Sequence, residues 1–229
     1  MALLTDEQIA FLQRCNLDVH RRDLGVLVRL FDDLVAANRV TNLTRITDAA
    51  EFWNLHVLDS LSVGIAAPEI FSASLRVADV GCGAGFPLLP LAWANPKLDL
   101  TGIESRGKKV EFIQKEAAAL GLTNAHVVHA QAREAGRNDD LKEQFDVVLL
   151  RAVGTAGKFL RECRTLLKPA PDAKIIFYKT PAAVQTELPE AQREAAKFHL
   201  ELTESTVFTL PSGAGERQFL TFSPVTEKK

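Results

Sequence analysis

The sequence has few cysteines and few aromatic residues, and no apolar run long enough to cross a membrane. Of its 229 residues, three are cysteine and 7% are aromatic. Three widely spaced cysteines form neither a disulfide framework nor a zinc pattern. The first residues lack the basic region and apolar stretch of a secretory signal, and no segment reaches bilayer length. We therefore expect a cytoplasmic protein with no membrane association and no bound metal.

The chain also lacks an excess of positive charge. It has 27 lysines and arginines against 29 acidic residues, a formal net charge of -2 and a pI of about 6.2. Domains that bind nucleic acid are usually basic, so any contact with RNA has to come from a local basic face. The length and the 47% hydrophobic content suit one α/β domain with an appendage, or two small domains.

The first 67 residues have the periodicity of helices. Apolar residues recur every three or four positions over 24–35, which indicates an amphipathic helix. Asp48 and Glu51 have the spacing of a capping box before a second apolar helix, which Pro68 ends. These patterns predict an N-terminal helical extension over residues 1–67, followed by a main domain over residues 68–229.

From residue 75 onward, strand-like and helix-like segments alternate, which favours a parallel sheet. The predicted strands are 75–80, 98–103, 125–130, 145–150 and 174–178. The predicted helices are 86–94, 107–120, 155–167 and, less regular because of Pro189, 182–197. Two last strands, 199–209 and 217–223, flank a turn rich in Gly and Pro and predict an antiparallel hairpin.

A glycine-rich segment follows the first predicted strand. The strand ends at Asp79, and Gly81, Gly83 and Gly85 follow at alternate positions. Glycines at this spacing let the backbone turn tightly and approach a ligand, and open α/β sheets bind ligands at the carboxyl ends of their strands. A dinucleotide fingerprint would require a third glycine at the position of Phe86. The pattern therefore favours S-adenosylmethionine (SAM) over a nicotinamide dinucleotide.

A second acidic residue supports this interpretation. Glu104 ends the second predicted strand, about where an acid meets the ribose hydroxyls in a βαβ unit, and a carboxylate can accept from both hydroxyls. Asp79 has two possible roles: it orients the loop or meets the cofactor's amino group, or it caps the following backbone amides. Together the features predict an α/β fold of the Rossmann-like, class I SAM-dependent methyltransferase type, with a mostly parallel sheet and a C-terminal antiparallel hairpin.

Six short motifs in fixed order carry a more specific resemblance. They are Asn42-Leu43-Thr44, His56-Val57-Leu58-Asp59-Ser60, the segment 79–87, the segment 104–112, Phe145-Asp146 with Arg151-Ala152, and Gly215-Glu216-Arg217. Over about residues 20–223 the chain resembles the 16S ribosomal RNA guanine-N7 methyltransferase family, also called glucose-inhibited division protein B. The His-x-Leu-Asp-Ser element is the specific part, because other methyltransferases share only the glycine loop.

The resemblance implies a SAM-dependent transfer of methyl to N7 of one guanine in the 16S rRNA of the small ribosomal subunit. By position, it implies cofactor contacts at Gly81, Phe86, Ala132, Arg133 and Arg151. With the residues argued above and Ser105 in the motif of Glu104, the predicted cofactor-binding set is Asp79, Gly81, Gly83, Gly85, Phe86, Glu104, Ser105, Ala132, Arg133 and Arg151.

The chain departs from the family pattern at several positions. Asn54 stands where an arginine is usual, while Leu88 and Thr180 replace glycines. Gln131-Ala132-Arg133 stands where the family tends to have Arg-small-Glu. A basic side chain therefore occupies an acidic position, which is harmless if the family contact there is made by the backbone.

The implied chemistry needs no general base, because N7 of guanine already carries a free lone pair. Catalysis would then consist mostly of approximation and orientation, and Arg151 could orient the substrate. Phe86 is the nearest aromatic residue that could stack on a base, or else it belongs to the core. His56 and Asp59 either close over the site or form a structural pair. Candidate substrate-binding residues are His56, Lys108, Lys179 and Arg217.

A wider rim of basic residues could bind RNA phosphates if the sheet edge gathers them. Its candidates are Arg106, Lys108, Lys109, Arg133, Arg137, Arg151, Lys158, Lys179 and Arg217. Two alternatives remain at this point: a class I methyltransferase with another substrate, and a non-catalytic rRNA-binding assembly protein, which the departures at 131–133 keep open. No long apolar stripe is left unassigned, so we expect a monomer.

Overall fold

The computed structural model describes residues 4–225; residues 1–3, part of the N-terminal segment considered above, lie outside the described part, as do 226–229. The strands are β1 Arg76–Val80, β2 Asp99–Glu104, β3 Ala125–His129, β4 Val147–Arg151, β5 Lys174–Lys179, β6 Leu200–Glu204, β7 Phe208–Thr209 and β8 Glu216–Pro224. The main α-helices are α1 Asp6–Arg14, α2 Gly25–Thr41, α3 Leu88–Ala94, α4 Gly107–Ala119, α5 Ala132–Ala135, α6 Ala156–Cys163 and α7 Pro181–Lys197.

One sheet organises the chain, with the strand order β3-β2-β1-β4-β5-β8-β6, and β7 pairs with β8 beyond the end of β6. The pairs among β1 to β5 are parallel, and β8 is antiparallel to both β5 and β6. The order of the parallel strands reverses between β1 and β4. This reversal opens a crevice at their carboxyl ends, which is where open α/β sheets bind ligands.

The two faces of the sheet bury different clusters, because side chains along a strand alternate in direction. Along β4, Val147 and Leu149 belong to the cluster that includes the N-terminal helices, while Val148 and Leu150 belong to the other. The same period places Arg151, which follows in step with Val147 and Leu149, on the face of the N-terminal helices. The sheet thereby aims Arg151 at the extension.

The second helix of the N-terminal extension contains a π-helix, where its periodicity predicts a continuous α-helix. The π-helix spans Phe52–Leu58 between single α-helical turns at Ala49–Glu51 and Asp59–Leu61, and a 3-10 helix follows at Ser62–Ile65. Asp48 caps the first turn through a bond from the backbone N–H of Glu51 at 3.0 Å. Single π-turns occur frequently at functional sites, and this one carries His56.

The predicted α/β class, with a mostly parallel sheet and a C-terminal antiparallel hairpin, is confirmed, and most element ends are displaced by one or two residues. Three differences are larger. Helix α5 was not predicted, the predicted strand 199–209 is divided into β6 and β7, and the predicted helix 155–167 becomes a 3-10 helix at Arg164–Leu166. The boundary at residue 67 stays a prediction, since the helices before it share one apolar cluster with the sheet.

No helix among residues 4–225 combines the length and apolar character needed to cross a membrane.

Candidate functional site

The glycine-rich turn leads from β1 into α3 at the crevice. Gly81, Gly83 and Gly85 all have positive φ, at +72°, +61° and +90°, a region that only glycine visits without strain. A Cβ on Gly83 would find its nearest neighbours, Lys109 Nζ and a backbone oxygen, only at 3.8 and 3.9 Å. The turn therefore leaves open space beside Gly83 that a ligand can fill.

Glu104 ends β2 beside this turn and is buried. Its carboxylate accepts from the backbone N–H of Gly83 at 3.0 Å and from that of Arg106 at 2.9 Å. The hydroxyl of Ser105 lies at 3.5 Å from the same carboxylate. Each carboxylate oxygen has a second lone pair, so Glu104 fixes the loop and can still accept from a ribose hydroxyl.

Two roles were considered for Asp79, and the structure shows the contact of one of them, the capping of the backbone amides that follow. It is fully buried, and its Oδ2 accepts from the backbone N–H of Leu88, the first residue of α3, at 2.9 Å. Its Oδ1 has no partner among the described residues. Burial raises the pKa of this carboxyl to about 7, against a smaller lowering by the bond from Leu88. Asp79 thus anchors the helix that follows the glycine turn.

A cavity of about 430 Å³ lies over the turn. It is lined by Leu43, Thr44, His56, Gly81, Cys82, Gly83, Ala84, Phe86, Glu104, Ser105, Arg106, Lys109, Arg151, Ala152 and Val153. Its size falls in the range of small-molecule sites. Asp79, Gly85, Ala132 and Arg133 of the predicted cofactor set lie outside this lining. Cys82 is buried, and burial raises the pKa of its thiol well above the ordinary value, so it is a packing residue.

Arg151 joins the end of β4 to the N-terminal extension. Its Nη1 donates to Asp59 Oδ2 at 2.7 Å and to the backbone oxygen of Leu55, in the π-helix, at 2.8 Å. Arg217 on β8 donates from Nε to the other oxygen of Asp59 at 2.9 Å. The side chains of Asp59, Arg151 and Arg217 are only 6%, 12% and 18% exposed. Within residues 4–225, Arg151 forms its ion pair with Asp59 and none with Glu104 or Asp79.

His56 contacts Arg151 and is electrically neutral. Nη2 of Arg151 lies 3.2 Å from Nδ1 of His56, and a guanidinium can only donate. Burial, and then the charge of Arg151, lower the pKa of His56 to about 3, so the ring is neutral. Nε2 therefore carries the proton and donates to Thr44 Oγ1 at 2.9 Å.

The hydroxyl group of Thr44 is consequently a hydrogen-bond donor whose direction is fixed. Its Oγ1 also accepts from the backbone N–H of Ile46, at 3.1 Å. With two donors already bound to Oγ1, the hydroxyl proton has to point elsewhere, and Thr44 lines the cavity over the glycine turn. Nε of Arg151 is a second buried donor with no acceptor in the described part of the chain. Both donors are suited to a ligand with oxygen acceptors.

Phe86 packs within this network. Its ring stacks on His56, with centroids 4.2 Å apart and planes 8° apart, and meets the edge of Phe52 at 6.0 Å. Phe86 is only 4% exposed. The structure thus places it in the core beneath the cavity, the second of the two roles considered for it.

A second cavity, of about 500 Å³, lies on the other side of His56 and Arg151. The two cavities share His56, Arg151, Ala152 and Val153 as their common wall. Ala152 has a φ of +54°, a conformation that costs a non-glycine residue free energy and clusters at functional sites. Two ligands, one in each cavity, would therefore lie next to each other at the end of β4.

The predicted substrate-binding residues divide between the wall of this second cavity and the surface. His56, Lys179 and Arg217 line the cavity, whereas Lys108 is exposed and lies outside it. The side chain of Lys179 lies on the sheet face opposite to the N-terminal helices and pairs with Glu187 of α7 at 2.8 Å. Since Arg217 and Lys179 are both held by carboxylates, they are positioned more firmly than a free phosphate-binding side chain would be.

The segment that departs from the family pattern begins α5. Gln131 and Glu134 form a capping box, in which the backbone N–H of Gln131 donates to Glu134 at 3.0 Å. The backbone N–H of Ala130 donates to the backbone carbonyl oxygen of Glu104 at 3.1 Å. The backbone of this segment therefore runs beside Glu104, the acid predicted to bind the ribose. The side chain of Arg133 is exposed and lines a different cleft. A cofactor contact at 132–133 would therefore be a backbone contact.

Sequence reasoning missed some residues of this site. Thr44 and Val153 line the first cavity, and Glu187 holds Lys179, but none of the three was predicted as a site residue. Lys109, which was predicted only as part of the basic rim, also lines this cavity. Thr44 was visible only as part of a motif, without a role. A pairing such as Arg151 with Asp59, 92 positions apart, leaves no periodic signal in a single sequence.

The residues present fit S-adenosylmethionine. The side-chain-free turn leaves room for a ligand, Glu104 retains lone pairs for a ribose, and Thr44 and Arg151 offer donors without protein acceptors. A parallel sheet with a switch point, a glycine turn after β1 and an acid ending β2 define a class I SAM-dependent methyltransferase. One solved structure with this fold is a SAM-dependent methyltransferase from Aquifex aeolicus, with a TM-score of 0.57, 17% identity, and coverage of 82% of this chain and 98% of that one.

The chain belongs to the GidB family, described as rRNA small subunit methyltransferase G, whose model matches residues 24–218. Among its relatives, the ribosomal RNA small subunit methyltransferase G of Lactobacillus delbrueckii subsp. bulgaricus is 36% identical over 82% of this chain and 77% of that protein. The protein of the same name from Lactobacillus johnsonii is 32% identical over 95% and 91%. The suspected family is thereby confirmed, and S-adenosylmethionine is the cofactor that the family and fold imply.

Proposed function

We propose that this protein transfers a methyl group from S-adenosylmethionine to N7 of a guanine in small-subunit ribosomal RNA. The observation that carries the proposal is the state of the titratable groups between the two cavities. Nδ1 of neutral His56 already accepts from Arg151, and both oxygens of Asp59 accept from arginines. No base among the described residues of this wall is free to take a proton.

A site without a free base suits a nucleophile that has no proton to lose. N7 of guanine has a free lone pair, whereas an exocyclic amine or a ribose hydroxyl has to lose a proton during or after attack. When bound, the cofactor supplies an electrophilic methyl group on a sulfonium centre. The wall then has only to hold two ligands at the correct distance and angle, which can contribute up to about 7–11 kcal/mol in favourable cases.

The chain's own residues divide this task between the cavities. We assign the cofactor to the cavity over the glycine turn, where Glu104 would accept from the ribose and Thr44 and Arg151 would donate to ligand oxygens. We assign the guanine to the second cavity, beside Lys179 and Arg217. Arg151 borders both cavities, so it would orient the substrate while it touches the cofactor.

The proposal extends to partner, location and assembly. Relatives are named for small-subunit rRNA, and we propose the same RNA as the substrate here. We further propose a monomer in the cytoplasm, the compartment in which the small subunit is made.

The experiment is methyl transfer from radiolabelled S-adenosylmethionine to 16S rRNA and to 30S particles that lack the modification. We expect label in RNA and N7-methylguanine in its nuclease digest at one position. A Glu104→Gln variant should lose transfer at low cofactor concentration and recover part of it at high concentration. Label in another base atom, or cofactor binding without any label in RNA, would refute the assignment.

A further inference from the structure

A cleft lined by arginines lies on the sheet face opposite to the N-terminal extension. Its volume is about 360 Å³, and its lining consists of Arg133, Gly136, Arg137, Arg161, Glu162, Arg164 and Thr165. Arg133 of helix α5 and Arg137, two residues after its end, supply two of the arginines, and the end of α6 with the following 3-10 helix supplies the other two. A chain with a net charge of -2 thus gathers four guanidinium groups in one small depression.

The floor of the cleft is a close contact between backbones. A Cβ on Gly136 would lie 2.6 Å from Thr165 Oγ1 and 2.7 Å from the backbone oxygen of Glu162. The hydroxyl of Thr165 donates to the oxygen of Gly136 at 2.7 Å. The arginines therefore project from a rigid junction of two elements and not from a mobile loop.

Three of the four arginines have no carboxylate partner within residues 4–225. Arg161 is held by Glu190 and Glu194 of α7, at 3.2 and 3.1 Å. Arg133 and Arg137 are exposed and make no side-chain hydrogen bond or ion pair in that part of the chain.

Arg164 is fixed in place while its donors stay available. Its guanidinium lies over the ring of Phe198, 4.2 Å from the centroid, a stacking arrangement that suits arginine. None of its N–H groups has an acceptor among the described residues. A guanidinium with a fixed plane and free donors matches the geometry of a phosphate. Glu162 is the one acidic residue of the lining, so the cleft keeps an excess of positive charge.

The position of the cleft connects it to the site. Helix α5 follows β3 directly, and the end of β3 lies beside Glu104, with Ala130 bonded to the oxygen of that residue. Helix α6 begins five residues after Arg151, at Ala156. The α5 wall of the cleft therefore starts close to Glu104, whereas the α6 wall consists of the last turn of that helix and the 3-10 helix after it, at the end of α6 away from Arg151.

We propose that this arginine cleft is a docking site for the phosphate backbone of the RNA substrate, outside the two cavities of the active site. The choice of RNA as the ligand rests on the proposed function. The cleft would bind phosphates flanking the target base and set the register of the RNA on the enzyme, since phosphate contacts position a nucleic acid without reading its sequence. Of the basic residues near the site, Arg151, Lys179 and Arg217 are held by carboxylates, whereas Arg133, Arg137 and Arg164 of the cleft have no carboxylate partner within residues 4–225 and remain available for RNA.

The test uses Arg137→Glu, Arg164→Glu and the double variant. Arg133 is left unchanged, because it belongs to the predicted cofactor-binding set. The matched control is Arg29→Glu on α2, an exposed arginine on the opposite side of the sheet. Binding of labelled 16S rRNA and of 30S particles is measured between about 50 and 200 mM salt, without cofactor, and calorimetry gives the affinity for S-adenosylmethionine. Thermal melts establish that each variant is folded.

We expect the double variant to bind RNA more weakly and with a shallower salt dependence. Each lost phosphate contact lowers the slope of log K against log salt by about 0.7–0.9, so the double variant should lose roughly 1.4–1.8. The affinity for S-adenosylmethionine should match that of the wild type. Slopes equal to that of the Arg29→Glu control would overturn the proposal, as would a loss confined to cofactor affinity.

Failure of the proposed function gives a different result from failure of the cleft. If the wild-type protein transfers no methyl to RNA but the double variant still loses RNA affinity and salt slope, the cleft stands and the assigned reaction is wrong. If the wild type methylates RNA and the double variant binds like the control, the reaction stands and the cleft is wrong.

Discussion

The pairing of Asp59 with two arginines offers the sharpest test of how the site is held together. The change is Asp59→Ala. It removes the acceptor of Arg151 at 2.7 Å and of Arg217 at 2.9 Å. Because both guanidinium groups are largely shielded from water, the variant leaves two charges without a partner in a poorly solvated position.

The magnitude follows from the burial of the pair. Removing one partner of a buried ion pair typically costs about 3–5 kcal/mol, while breaking an exposed pair costs about 0–1 kcal/mol. For a chain of this size, 1 kcal/mol corresponds to roughly 2–4 °C in Tm. We therefore expect Asp59→Ala to lower Tm by roughly 6–20 °C.

The assay is thermal and urea-induced unfolding of the variant beside a matched control. The control is Asp99→Ala, which removes the partner of Arg76 at 3.3 Å, where the two side chains are 51% and 40% exposed. It should stay within about 1 kcal/mol of the wild type. An equal, small effect of both substitutions would refute the reasoning, because it would mean that water reaches Arg151 and Arg217 and that Asp59 does not hold them.

Three further predictions concern the cofactor cavity and the helical extension. Gly83→Ala and Gly121→Ala should each cost about 1–2 kcal/mol of stability, because both glycines have positive φ, at +61° and +68°. Only Gly83→Ala should also weaken cofactor binding in calorimetry. Equal cofactor affinities of the two variants would contradict the placement of the ligand beside Gly83. Thr44→Val should weaken cofactor binding or slow single-turnover transfer, while Thr44→Ser keeps the hydroxyl and should behave as wild type; a silent Thr44→Val would show that no ligand uses this donor. Burial, and then the charge of Asp33, raise the pKa of Glu116 to about 7 from 4.5, so the folded protein binds the proton more tightly than the unfolded chain and loses stability as pH rises from about 4.5 to 7. Asp79, whose pKa is also raised to about 7, acts in the same direction. Glu116→Gln should therefore make the fall of Tm over this range shallower without abolishing it, and an unchanged pH profile would contradict the assignment.

Local patterns in the sequence predicted most of the sheet. Strand and helix periods, the glycine turn and Glu104 are each encoded within a few neighbouring residues, and the structure has them in the expected order. Helix α7 runs through Pro189 because this residue is exposed, so the carbonyl left without its N–H partner can bond to water. Exposure of that kind depends on the tertiary fold and is not written in the local pattern.

What the sequence could not provide was the partners of its charged residues. Arg151 was expected at the sheet edge, and it is there, but its partner Asp59 belongs to a helix packed from the other end of the chain. Lys179 was grouped with basic residues that might bind RNA, yet the two-residue period of β5 turns it toward Glu187. Which charges remain free for a ligand is decided by such long-range pairings, and it becomes visible only when the elements are assembled.

The π-helix makes the chain sensitive to insertions and deletions between residues 52 and 58. Inside it the backbone N–H of Asp59 reaches back five residues, to the oxygen of Asn54. Deleting any one residue between 52 and 55 would let this stretch close into an ordinary α-helix, with a small gain in backbone regularity. It would also turn the preceding part of the extension by about 100° relative to His56 and Asp59. A regular α-helix over this stretch would either turn its apolar face away from the core or lose the contacts of Leu55 and Asp59 with Arg151. The number of residues in this segment therefore sets the position of Arg151.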